Sequence, residues 1–140
     1  MTKIRYQAIL EPQPEGGFTV TFPDIPEAIT EGDTREEAIF NATEALGLCL
    51  DVRMEQDEAL PKPTRTEGGE WITPSAPVQA AVALKHLRES QGKTLSDMAR
   101  LLGTSWPAAQ RLERPNANPT LRQLDRAAAA TGKRLVLSFE

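Results

Sequence analysis

The chain opens with an alternation of period two. From Lys3 to Leu10 the apolar positions Ile4, Tyr6, Ala8 and Leu10 share one face, which predicts a strand. "EPQPEGG" (11–17) holds two prolines and two glycines and predicts a turn. Phe18, Val20 and Phe22 then alternate with Thr19 and Thr21, a second strand that forms a hairpin with the first. Pro23 and Pro26 interrupt pairing, Ala28 to Glu31 predicts a short third strand, and Gly32-Asp33 a turn. At Thr34 the period changes. "TREE" is a capping box, and Ala38, Ala42, Ala45, Leu46 and Cys49 recur at helical spacing, predicting a helix from Thr34 to Met54. Its small residues suit close packing on a sheet. Residues 55–68 are polar, hold Pro61 and Pro63, and read as a connection. "EWITPS" (70–75) adds one more strand.

From Ala76 onward the pattern is helical. Pro77 suits a first turn, and Val78, Ala81, Leu84 and Leu87 follow at 3.6 spacing to a stop at Gly92. "TLSD" (94–97) starts a short helix that ends at Gly103. Ser105 caps the next, which has Pro107 in its first turn and ends before Pro115. Thr120, with Gln123 three residues on, caps a last helix that stops at Gly132. In the tail "RLVLSFE", Leu135, Leu137 and Phe139 alternate with Val136 and Ser138 and predict a terminal strand over 134–139. The fold class expected is α+β. A β-β-β-α-β domain over 1–74 is followed by an all-α domain over 76–140 that ends in a strand.

Charge sharpens this division. The net charge of −4 hides 6 Lys/Arg against 15 Asp/Glu in residues 1–74, a balance of −9. Residues 75–140 carry 10 against 5, a balance of +5. An acidic module followed by a basic one suggests two different partners, a basic protein for the first and nucleic acid for the second. No apolar run approaches the ~18 residues of a membrane span. The N-terminus has no signal pattern, so a cytoplasmic location is expected. His86 is the only histidine and Cys49 the only cysteine, which leaves little material for a triad or a zinc site; Cys49 reads as a buried structural thiol.

The stretch "LSDMARLLGTSWPAAQRLER" (95–114) carries the clearest mechanism. Two short helices meet at Gly103-Thr104. Ala99 stands where the axes cross, and Met98, Leu102, Ala109 and Leu112 make the shared core. This is a helix-turn-helix pattern, whose second helix enters a DNA major groove N-terminus first; an ordinary helical hairpin is the alternative. Ser105, Gln110, Arg111 and Arg114 are spared from the core stripe, and with Trp106 and Pro107, which open the second helix, they are the DNA-binding candidates. Arg111 and Arg114, placed on the outer face of the second helix, are candidates for guanine or phosphate contacts, or are solvated charges, or, for Arg114, a pair with Glu113 or the preceding turn. Gln110 is a further candidate, and Ser105 is first a helix cap. Trp106 either packs on sugar or a thymine methyl or folds back onto its own domain.

"FPDIPEAITEGDT" (22–34) raises a different question. Asp24, Glu27, Glu31 and Asp33 lie within ten residues of one another. Two-metal hydrolysis needs three or four carboxylates converging from rigid elements around ions ~4 Å apart. Here the acids sit at strand ends and on turns, separated by two prolines. No catalytic residue, metal or cofactor is assigned; an acidic recognition surface fits the placement better.

Two resemblances cover nearly the whole chain. Residues 76–140 resemble a Cro/phage-repressor-type helix-turn-helix domain, as in repressors of the xenobiotic-response-element family. Ala99, Gly103 and the "NPTL" lead-in (118–121) carry that likeness. "EGGFTVTFPDIPEAITEGDTREEAIFNATEAL" (15–46) resembles the HicB antitoxin family, whose N-terminal domain is a truncated, inactive ribonuclease-H-like fold. The resemblance implies an antitoxin that is not an enzyme. Its first domain binds and inhibits a HicA-type mRNA endoribonuclease toxin, through Phe22, Asp24, Glu27, Glu31 and the exposed face of the 34–54 helix. Its second domain forms a homodimer or tetramer, through the 134–139 strand and the 120–131 helix, and represses its own operon on double-stranded operator DNA. The rival is a stand-alone transcriptional regulator with an N-terminal sensing or oligomerisation domain. The chain departs from the family at Glu27-Ala28, where Gly-Cys is common, and at Ser105-Trp106-Pro107, where such repressors often place Gln.

Overall fold

A computed structural model describes residues 3–140. The chain divides into two compact units, one reaching to Ala76 and the other running from Pro77 to Glu140.

The first unit is a four-stranded sheet under one long helix. Strand β1 (Tyr6–Pro12), β2 (Phe18–Thr21), β3 (Ile29–Gly32) and β4 (Glu70–Ile72) stand in the order β3-β2-β1-β4. Every pairing is antiparallel. The hairpin register puts Leu10 opposite Val20 and Pro12 opposite Phe18. β3 continues the meander with Val20 opposite Thr30, and β4 returns to pair Ile72 with Tyr6 on the other side of β1.

Helix α1 (Arg35–Glu55) lies against this sheet, in contact with β2, β3 and β4. The Thr34 hydroxyl caps it by accepting from the Glu37 amide. Its buried residues are Ala38, Ala42, Leu46, Leu50 and Met54, a stripe at strict spacing of four. Ala45 and Cys49, expected on that stripe, are half-buried on its flank, because a spacing of four leads to Leu50 and Met54 instead. The small residues at the start of the stripe bring helix and sheet close together. A Cβ on Gly32 would lie 2.3 Å from the Ala38 amide nitrogen, so the last residue of β3 has room for no side chain. Tyr6, Ala8, Val20, Phe22, Ile25, Ala28 and Ile72 complete the core from the strands and turns.

Residues 56–69 contain no helix or strand, yet side chains of the sheet and its turns hold them. The Tyr6 hydroxyl donates to the Pro61 carbonyl at 2.6 Å, and Gln7 Oε1 accepts from the Thr66 amide. The Asp24 carboxylate accepts from both the amide and the hydroxyl of Thr64, at 2.8 and 2.7 Å. Burial, assisted by the negative charge of Asp24, pushes the Tyr6 hydroxyl up to about 12, which keeps it a donor at any physiological pH.

The second unit is helical. It consists of α2 (Ala76–Ser90, starting at the boundary), α3 (Leu95–Leu102), α4 (Trp106–Leu112), a 3₁₀ turn at Pro115–Ala117, and α5 (Leu121–Ala130). Both Thr94 with Asp97 and Thr120 with Gln123 form complete capping boxes, as the sequence predicts. Met98 and Ala99 of α3 pack on Ala109 of α4, with Leu102 against them. Leu84, Leu112 and Ala127 border the same packing site.

The terminal strand expected over 134–139 does not form. Among the described residues, none of these six joins a strand or a backbone ladder. A strand needs a second strand to accept its hydrogen bonds, and residues 77–140 hold no other. The molecule is therefore a mixed α+β protein whose sheet is confined to the first unit.

Candidate functional site

The four proposed toxin contacts have different fates. Phe22 is 1% exposed and belongs to the core, so its aromatic ring is withdrawn from any surface. This corrects the expectation: the alternation that marks Phe22 as apolar also turns it inward. Asp24 is half-buried and holds Thr64. Glu27 is exposed but engaged, accepting two hydrogen bonds from Arg53, at 2.5 Å from Nε and 2.9 Å from Nη2. The guanidinium's hydrogen bonds hold the Glu27 carboxyl below its ordinary range and raise Arg53 in turn. Glu31 is exposed, and its carbonyl accepts from Asn41 Nδ2 at 2.8 Å. The stretch does not bring its acids to one point. Among the described residues, no group of three or more His, Cys, Asp or Glu is placed to hold a metal ion.

Arg53 was not singled out in the sequence. Its partner lies 26 residues away, and only the return of α1 toward the β2–β3 turn joins them.

The outer face of α1 is more open. Phe40, Leu48 and Val52 are 66%, 67% and 49% exposed. At 100° per residue, positions 40, 44, 48 and 52 lie half a turn from the buried stripe of 38, 42, 46, 50 and 54. The same arithmetic places Glu37, Glu44, Asp51 and Glu55 among these apolar residues. The two arginines of α1 fall outside this face. Arg35 pairs with Glu70 and Arg53 with Glu27. The helix thus shows solvent an apolar ridge set in carboxylates. Scattered exposed apolar residues are ordinary; these three share one face of the helix. The exposed face of this helix is a candidate from the sequence, but periodicity does not say which residues form it, because apolar residues occur all round α1.

In the second unit, α3 and α4 are joined by a turn of three residues. Gly103 adopts φ 63°, ψ 37°, the left-handed conformation that ends α3. Ser105 Oγ accepts from the Ala108 amide and caps α4, with Pro107 in its first turn. Trp106, Pro107, Gln110 and Arg111 are exposed and lie three or four residues apart, so they form one patch. Trp106 is 45% exposed, which leaves part of its indole accessible. Arg114 departs from the sequence picture. The helix ends at Leu112, and Arg114 lies beyond it, half-buried at the start of the 3₁₀ turn. Glu113 is also committed elsewhere, to a two-point ion pair with Arg88 of α2 at 2.8 and 3.0 Å. Both side chains of that pair are largely buried, and Arg88 also donates to the Lys93 carbonyl. This clamp fixes the C-terminal end of α4 and was missed in the sequence, where its members stand 25 residues apart. Arg126 reaches the Leu102 carbonyl at the end of α3.

The described residues thus comprise an acidic unit with one open helix face and a basic helical unit. Comparison with known proteins supplies the family. Residues 5–85 match the model described as a HicB-like antitoxin of bacterial toxin–antitoxin systems. Antitoxin HicB 1 of Photorhabdus laumondii is 33% identical over 98% of this chain and 88% of its own length. Antitoxin HicB 2 of the same organism is 37% identical over 88% of each. Antitoxin HicB of Escherichia coli K12 is 33% identical over 96% of this chain and 98% of its own. The chain belongs to the HicB-like antitoxin family. Among the described residues, no helix is long and apolar enough to cross a membrane.

Proposed function

We propose that the first unit binds and inhibits a small, basic ribonuclease toxin of the HicA type through the outer face of α1. The ridge of Phe40, Leu48 and Val52, set among Glu37, Glu44, Asp51 and Glu55, is the observation that carries this reading. An enzyme that binds RNA presents cationic groups, and carboxylates around an apolar ridge complement them while the ridge supplies buried area. The Glu27–Arg53 pair lies on the other side of the helix from this ridge, so Glu31 is the one of the two exposed acids left to contribute. Asp24 is engaged in holding the connection at Thr64 and is not assigned a toxin contact.

The second unit is proposed to bind operator DNA. The α3–turn–α4 element acts as a helix-turn-helix, with α4 in the major groove. Arg111 and Gln110 read base edges or phosphates, Ser105, Trp106 and Pro107 meet the backbone at the helix start, and Arg114 stands at the margin. Two copies associate through the 120–139 region and present two α4 helices ~34 Å apart to a near-palindromic site, repressing the operon. Affinity falls with salt as phosphate contacts release counterions.

Co-expression of the full chain with the product of the adjacent gene tests the antitoxin reading. A stable complex with a small basic protein, whose toxicity the chain suppresses, is the expected result. Growth arrest that the chain leaves unrelieved would overturn it.

A further inference from the structure

The leading end of α4 carries no charge. From Gly103 to Gln110 the chain reads GTSWPAAQ, and the first ionised side chain after it is Arg111. Backbone donors are scarce there too. Pro107 has no N–H. The Ala108 amide donates to Ser105 Oγ at 3.3 Å, and the Ala109 amide donates to the Ser105 carbonyl at 3.0 Å. Across residues 106–109, at most the amide of Trp106 is left for a phosphate. What this end offers instead is apolar surface. Trp106 is 45% exposed, and Pro107 beside it is exposed as well. The backbone contact at this end is then to sugar, and the indole has area left for a base.

We propose that Trp106 is a specificity-determining residue whose indole covers the C5-methyl of a thymine in the major groove. The proposal rests on the operator reading above and adds which base the start of α4 selects. Base edges present hydrogen-bonding groups to the major groove, and the one apolar group that projects there is the thymine methyl. An indole half withdrawn from water gains by covering it. Set against the N7 and O6 of guanine, the same ring would strip two acceptors of water and return one N–H at most. Cytosine lacks the methyl, so the contact separates the two pyrimidines. Gln110 stands one turn on, at i+4 on the same side of the helix, and its amide suits adenine at N6 and N7. From its start, α4 thus presents an apolar reader, an amide reader and, at Arg111, a cation.

Uracil interference on the full chain tests this. The probe is duplex DNA from the region upstream of the chain's own gene, with thymines sparsely replaced by deoxyuridine, which removes the methyl alone. Bound and free DNA are separated by gel shift and cleaved at uracil. With the wild-type chain, uracil at one thymine of each half-site should be depleted about fourfold from the bound fraction, the effect of one methyl contact. W106A should bind more weakly and lose that depletion. R111A should bind more weakly and keep it, and W106F, which retains an apolar ring, should keep it too. Placing 5-iododeoxyuridine at the same thymine puts iodine where the methyl stands, and irradiation should cross-link it to Trp106 of the wild-type chain. Equal depletion with wild type and W106A, no depletion with wild type, or a cross-link to another residue overturns the assignment. A wild-type chain that leaves the fragment unshifted overturns the operator reading itself.

Discussion

Glu27 and Arg53 are joined at two points, Nε to Oε2 at 2.5 Å and Nη2 to Oε1 at 2.9 Å, across the gap between the β2–β3 turn and the last turn of α1. The residue that most enlarges the acidic stretch is thus held by the protein's own cation. Glu27→Ala is expected to reduce stability by about 1 kcal/mol, the scale of a well-formed but partly exposed pair. It is expected to weaken toxin binding far less than substitutions on α1. Thermal melts and a binding titration on one preparation separate the two effects.

The same pair sets a pH dependence. The Glu27 carboxyl is held below its ordinary range in the folded chain. Its contribution is therefore complete above the unfolded carboxylate pKa of ~4.3 and is lost as pH falls through the lower folded value. The stability gap between the wild-type chain and E27Q should be constant from pH 6 to 8 and should close in acid. Denaturant midpoints across that range check the sign; a gap that widens in acid contradicts it.

Gly32 stands where α1 comes closest to the sheet. Gly32→Ala puts a methyl 2.3 Å from the Ala38 nitrogen, against backbone that cannot turn aside as a side chain would. The expected loss is about 2–3 kcal/mol, read as a lower urea midpoint with an unchanged slope. Gly68, around which a Cβ would meet nothing within 4 Å, makes a useful contrast, because its φ of +76° alone penalises G68A.

The Arg88–Glu113 clamp predicts a separate effect in the second unit. Glu113→Ala takes the carboxylate from the largely buried Arg88 guanidinium, which keeps its bond to the Lys93 carbonyl, so the change should cost about 3 kcal/mol. Operator binding is expected to fall with it, because the clamp fixes the end of α4. Arg111→Ala instead should leave the melting temperature unchanged and weaken operator binding by about 1–3 kcal/mol. Gel-shift titrations at fixed salt, beside thermal melts, distinguish a contact residue from a positioning one.

Local signals were the legible ones. The caps at Thr34, Thr94, Ser105 and Thr120, the left-handed Gly103 and the β1–β2 hairpin all rest on neighbours within five residues or on a two-period pattern, and the structure forms each of them. Contacts between distant segments were not legible. Glu27 with Arg53, Arg88 with Glu113, and Asp24 with Thr64 depend on how elements return to one another. Phe22 shows the same gap from the other side: alternation marks it as apolar but does not say whether a partner covers it or the core does. At the tail, periodicity recorded a strand pattern while the single chain supplies no strand to pair with it.

The central claim is that the outer face of α1 captures the toxin. Calorimetric titration of the purified toxin into the full chain and into F40D/L48D tests it most directly. Both side chains are two-thirds exposed, so folding should be preserved. The expected result is an unchanged melting temperature with toxin affinity reduced by at least ~30-fold, the loss of a contact centre worth 2 kcal/mol or more. Wild-type affinity in a folded F40D/L48D chain would contradict the claim.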